Sequence, residues 1–203
     1  MRDRPTTLIS TRCAASCARY QLACLLLAQG LPLLLAGDEV GNSQHGNNNA
    51  YCQDNAVGWV EWTALGHNGD DLTEFVSHLT ALRKRFAQIR ATRWLDGRRP
   101  DGSYGVLWLT PEGADMTDED WKFPEGRFLS YVLGPVEQGQ PPIFIVLNAA
   151  PEEIAFKLPA MPEYKSWQQV LSTKDIVQTT AEFVPGAETK APPRSVLAFA
   201  GQS

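Results

Sequence analysis

Apolar positions along the 203-residue chain follow two rhythms, one helical and one strand-like. Between Asp71 and Ile89, the residues Leu72, Phe75, Val76, Leu79, Leu82, Phe86 and Ile89 recur at three- and four-residue steps. That is the period of an amphipathic helix with one buried stripe. Asp70 or Asp71 is read as its N-cap, with Glu74 where a capping-box acid reaches back to Asp71. Arg83, Lys84 and Arg85 suit the negative pole at the other end. Upstream, Leu22 to Ala28 reads as the buried end of a helix. Leu33-Leu34-Leu35-Ala36, bounded by Pro32 and Gly37, reads as a fully buried parallel strand.

Beyond residue 100 the rhythm shortens. Tyr104 to Leu109, Phe128 to Leu133, Ile143 to Leu147, Ile154 to Leu158, Trp167 to Leu171 and Ser195 to Phe199 are β-prone runs. Gly134-Pro135, Pro141-Pro142, Asn148 and Pro192-Pro193 punctuate them. Short strands separated by turn residues predict an antiparallel sandwich over 103–203. A polar, turn-rich stretch from Trp94 to Asp101 divides it from a helical portion over 1–95.

Charge and length narrow the function classes. The formal net charge is −5 and 43% of residues are hydrophobic, a balance unlike that of disordered chains. No basic stripe supplies the phosphate-neutralising attraction of a nucleic-acid binder. A complete (β/α)₈ barrel takes roughly 250 residues, more than this chain has. The basic start followed by an apolar run from Leu22 to Leu35 has the outline of a signal peptide. Gln29, Gly30 and Pro32 split that run, so it is read as helix–turn–strand, too short and too broken to span a membrane. Cys13, Cys17, Cys24 and Cys52 crowd into the first quarter of the chain without a CxxC or a His at ligand spacing. They are read as reduced thiols of a cytoplasmic protein rather than a disulfide or metal framework.

The densest candidate chemistry lies between Gly37 and Trp62. Asp38 and Glu39 follow the expected strand, at the end where barrel enzymes place their sites. The next residues gather Asn42, Gln44, Asn47, Asn48, Asn49, Gln53, Asp54 and Asn55 around His45, Tyr51, Trp59 and Trp62. Amides and carboxylates beside aromatic faces match sugar hydroxyls and sugar C–H faces. The alternative is that these Asn residues only cap turns and tolerate left-handed backbone.

Gly30-Leu31-Pro32, Ala36-Gly37-Asp38-Glu39 and the run Gly46-Asn47-Asn48-Asn49-Ala50-Tyr51-Cys52-Gln53-Asp54-Asn55 together resemble a known pattern. It is the segment after the eighth barrel strand of isoamylase-type glycogen debranching enzymes, in the α-amylase superfamily. Leu82-Arg83-Lys84-Arg85, Trp108-Leu109 before Pro111-Glu112-Gly113, and the acidic loop Met116 to Trp121 extend the resemblance over roughly Gln21 to Phe199. Asn42-Ser43 depart from the Arg-Thr of many relatives, and residues 1–19 depart from the family's segment. The resemblance implies an α+β arrangement: the last strand and helices of a (β/α)₈ barrel, then an antiparallel β-sandwich. It implies hydrolysis of α-1,6 branch links in glycogen or limit dextrin, with Asn47, Asn48, Asn49, Tyr51, Gln53 and Asp54 lining the glucan cleft. Asp38 and Glu39 become site supports.

Retaining hydrolysis needs two carboxyl groups about 5 Å apart across one glycosidic bond. In the family these groups lie upstream of the strand ending at Gly37, which leaves no catalytic residue in this chain. Adjacent residues of an extended strand point to opposite faces, so Asp38 and Glu39 are not such a pair. The expected partners are an α-glucan and the remainder of the barrel. No cofactor, metal, nucleic acid or membrane is expected. His45, His67 and His78 lack ligand spacing, and Asp115, Asp118, Glu119 and Asp120 lack the pattern of a Ca²⁺ loop, so the acids are read as a solvated loop. Two alternatives to the debranching reading remain: a non-catalytic carbohydrate-binding module, or a structural or interaction module with an exposed apolar face on residues 20–40 and 72–90.

Overall fold

The computed structural model describes residues 8–62, 69–92, 94–136, 139–175 and 181–203. Its centre is the run Ile143–Asn148 (β3), where apolar residues follow one another without alternation. Such a run fits a strand buried on both faces. Phe128–Leu133 (β2) pairs antiparallel on one side of it, from Phe128 opposite Asn148 to Leu133 opposite Ile143. Ser195–Gln202 (β8) pairs on the other, from Ile143 opposite Ala200 to Asn148 opposite Ser195. Val106–Leu109 (β1), Ser166–Ser172 (β5) and Glu182–Phe183 (β6) extend the sheet to the order β1-β2-β3-β8-β5-β6. A second, two-stranded sheet pairs Ile154–Lys157 (β4) with Glu188–Ala191 (β7).

The large sheet separates two cores. Ile143, Ile145, Val196, Ala198 and Leu171 face the helices, whereas Phe144, Val146, Leu197, Phe199 and Trp167 face β4 and β7. On the helical side, α1 (Leu8–Leu27) presents Leu22, Ala23, Leu26 and Leu27, and α2 (Gly69–Arg85) presents Leu72, Phe75, Leu79 and Leu82. On the other side Phe156, Leu158 and Ala191 close an aromatic core around Phe144, with ring centroids of Phe156, Trp167 and Phe199 all about 6 Å from its own. The helical core therefore takes residues from both parts of the chain. The apolar stripe over 72–90, which a bare interaction module would expose, is buried against this sheet.

Polar groups tie the layers together. Arg83 is buried, and its guanidinium donates to the carbonyls of Leu26 and Ala28, each at 2.8 Å, and to that of Gly30. The Leu26 carbonyl lies in the last turn of α1, where carbonyls lack helical partners, and Ala28 and Gly30 follow directly after it. Asn148 is fully buried; its amide nitrogen meets the carbonyls of Glu152, Ala191 and Pro192 within 3.0 Å, and its oxygen accepts from the Ala150 N–H. In β5 the pairing with β8 slips between Gln169 and Leu171, leaving Val170 as an extra residue. The bulge puts both Val170 and Leu171 in the helical core, and the Val170 carbonyl lies 2.8 Å from Nε2 of His78 on α2.

Several expectations are corrected. Residues 33–36 form no strand: Leu33 and Leu35 are 84% and 65% exposed, and only half-buried Leu34 packs inward. A parallel strand needs a neighbour, and none of the described residues supplies one. The helix expected through Ile89 ends at Arg85, because Phe86 turns extended (φ −103°, ψ 91°) and Ala87–Arg90 form a 3₁₀ turn. Arg90 reaches back to the Arg83 and Lys84 carbonyls that this early ending frees. Gly69 is already helical, so Asp70 and Asp71 lie within the helix instead of capping it; their side chains, like His67 and the Cys13 side chain, lie outside the described residues. The acidic loop contains a one-turn helix, α3 (Asp118–Trp121), because Thr117 and Asp120 make a capping box. Strands β6 and β7 were not expected. Cys17, Cys24 and Cys52 are free thiols, and no helix among the described residues is long and apolar enough to cross a membrane.

Candidate functional site

The candidate segment leaves the helical layer at Gly37, whose φ of 100° turns the chain sharply. A Cβ there would sit 2.8 Å from that of Asn42, so only glycine fits both the conformation and the space. Asp38–Val40 form a 3₁₀ turn, not a strand end. Glu39 folds back so that its Oε2 accepts the Gly37 N–H at 2.9 Å, and its carbonyl accepts the Thr73 hydroxyl of α2 at 3.1 Å. Glu39 thus braces the turn. Asp38 is exposed and borders a cleft of about 340 Å³ with Leu34, Asn42 and Leu72.

From Asn42 to Trp62 the loop is built largely from its own polar side chains. Asn47 Oδ1 accepts the Asn49 N–H at 2.8 Å, Asn49 Oδ1 accepts the Tyr51 N–H at 3.0 Å, and Asn55 Oδ1 accepts the Val57 N–H at 2.9 Å. These are Asx turns, the structural role open to such residues. Gln53 donates its amide to the Asn49 carbonyl at 3.0 Å. The Trp59 indole N–H donates to Asp54 Oδ1 at 2.9 Å, which pins an aromatic ring beside a carboxylate. Asn42 Oδ1 accepts the Glu61 N–H and ties the far end of the loop to its start.

The six predicted binding residues therefore share one exposed loop. Asn47 and Asn49 spend their carbonyl oxygens on turns but keep their NH₂ groups. The Asn48 side chain makes no hydrogen bond among the described residues, and Tyr51 is 83% exposed. This is a surface of donors and ring faces held by short-range bonds, suited to holding polyhydroxyl chains. Asp38 and Glu39 are consecutive in a tight turn, Asp38 exposed and Glu39 folded back onto the Gly37 N–H. No cluster of three or more His, Cys, Asp or Glu suited to a metal occurs among the described residues. Sequence reasoning missed the Asp54–Trp59 bond and the Asn42 anchor; a carboxylate five residues before a tryptophan was the available signal for the first.

Residues 105–196, the two-sheet region, match the family described as isoamylase, C-terminal. Residues 105–196 thus carry the isoamylase C-terminal domain, and the chain is similar in sequence to proteins named for glycogen debranching. It is 33% identical over 193 residues to the glycogen operon protein GlgX homolog of Mycobacterium tuberculosis, covering 88% of this chain and 27% of that protein. It is 47% identical over 100 residues to the glycogen debranching enzyme of Cronobacter sakazakii, covering 49% of this chain and 14% of that one. The chain thus spans about a quarter of the length of the GlgX homolog that it matches. Among solved structures, the catalytic module of the glycogen-degrading pneumococcal virulence factor SpuA shares the fold with a TM-score of 0.70, at 14% identity over 99% of this chain and 33% of that one.

Proposed function

We propose that this chain is the C-terminal portion of a cytoplasmic hydrolase of α-1,6 links in glycogen or limit dextrin. The loop 47–54 meets the glucan, Asp38 and Glu39 support it, and the catalytic carboxylates lie elsewhere in the parent barrel. Residues 1–95 are the end of that barrel, and 103–203 brace it. The observation that carries this reading is the coincidence of the family's Asn-rich run with an exposed loop holding Tyr51, Trp59 and spare amide donors. The exposed Leu31, Leu33 and Leu35 support it too, since neighbouring leucines open to solvent form an apolar surface that a further part of the parent would cover.

Two measurements test it. In native gels containing glycogen, the purified chain is retarded, and Asn48→Ala combined with Tyr51→Ala reduces the retardation. A chain not retarded by glycogen overturns the loop assignment and leaves the structural-module reading. In reducing-sugar assays on glycogen limit dextrin, beside a full-length debranching enzyme, the chain releases nothing. Release that survives repurification and disappears in Glu39→Gln overturns the placement of the chemistry elsewhere.

A further inference from the structure

A cleft walled by Leu109 and Phe128 of the β4/β7-side core and by α3 is larger than the one beside Asp38. It encloses about 600 Å³ between the end of β1, the excursion 110–127 and the β3–β4 turn. That volume lies within the range of small-molecule sites. Its walls include apolar Leu109, Phe128 and Ile154, and Phe123, a residue 61% exposed whose ring stacks on no other ring among the described residues. An exposed phenyl group at a cleft is a ready platform for the C–H face of a sugar. The carboxylates of Glu112, Glu119 and Glu152 border the same space and make no side-chain hydrogen bond or ion pair among the described residues. Arg127 adds a donor fork beside Glu125, at 3.8 Å in an exposed pair.

We infer that this cleft is a second carbohydrate site, which takes a neutral oligosaccharide chain independently of the loop 47–54. A cationic ligand would use acceptors alone. Here acceptors and a guanidinium donor border an apolar wall and a free ring. Hydroxyl groups both donate and accept, so they answer both kinds of partner, while the sugar's C–H faces answer the ring. That the oligosaccharide is an α-glucan rests on the function proposed above. A site here lets the two-sheet region hold a branch or a neighbouring chain of the polymer while another part is at the loop.

The test is calorimetric titration of the whole chain with maltoheptaose in the Asn48→Ala/Tyr51→Ala background, where the loop's share of binding is reduced. Saturable binding persists there, and adding Phe123→Ala weakens it about tenfold, as expected for loss of one ring platform. Glu152→Gln weakens it less. Phe123 is exposed, so the unfolding midpoint of its alanine variant stays at the parent value, and weaker binding is not misread as unfolding. Binding lost with the loop substitutions, or unchanged by Phe123→Ala, overturns the second site, while the fall in glycogen retardation caused by Asn48→Ala with Tyr51→Ala still reports on the loop. A lysine heptapeptide that binds in a Phe123-dependent way where maltoheptaose does not assigns the cleft to cations and equally overturns it.

Discussion

The loop 42–62 and the strand β3 solve the same problem, the satisfaction of backbone polar groups, at opposite ranges. In the loop, side chains accept backbone N–H groups two residues away, as in Asn47–Asn49, Asn49–Tyr51 and Asn55–Val57. In β3, partners lie about fifty residues further along, in β8. A loop that closes on itself keeps its shape whatever it faces, so it can be exposed without being formless. The sheet carries the stability, and its residues are interchangeable only within a fixed volume.

The largest expected effect separates these regions directly. Phe144→Ala empties a fully buried position ringed by three aromatic side chains and destabilises by about 3–5 kcal/mol. Tyr51→Ala in the exposed loop stays within about 0.5 kcal/mol. Urea unfolding of both variants checks this, and comparable losses would erase the distinction. Next comes Arg83→Met, which leaves carbonyls at the end of α1 without their charged donor. The expected loss is about 2–3 kcal/mol, with faster amide exchange around residues 28–31.

The helical core also has a pH signature. Burial first, and Cys24 nearby, push the Tyr131 phenol up to about 12 from its ordinary 10. Its contribution to stability is therefore complete below pH 10 and is lost as the pH rises through about 12, because the unfolded chain releases that proton first. Tyr131→Phe flattens the fall in melting temperature over that window. A slope identical to that of the parent would remove Tyr131 from the account. The smallest effect belongs to the loop: Asn49→Ala removes one Asx bond, at a cost of about 1 kcal/mol of local order. It shows as faster exchange of the Tyr51 amide with no change in global unfolding.

The same contrast explains what could be read from the sequence. Strands β2, β3 and β8 announced themselves because each packs apolar side chains into a core, and the α2 stripe did so because its face is buried. Strand β7, Glu188 to Ala191, carries one buried residue at its end and no apolar rhythm, so only its pairing with β4 reveals it. Leu33 to Ala36 misled in the opposite way. Their composition is that of a buried parallel strand, yet composition cannot provide the neighbouring strand, and the segment stays open. The candidate loop was legible as chemistry through its Asn, Tyr and Trp content. Which amides brace the turns and which point outward was not, because an Asx turn and a ligand contact use the same side chain.

The surplus residue in β5 carries a further meaning. A chain lacking Val170 could still zip β5 to β8, since Gln169 and Leu171 already face consecutive partners, Phe199 and Ala198. It would lose the carbonyl that His78 meets. Closing the sheet and seating a helix upon it are thus separable instructions, written one residue apart.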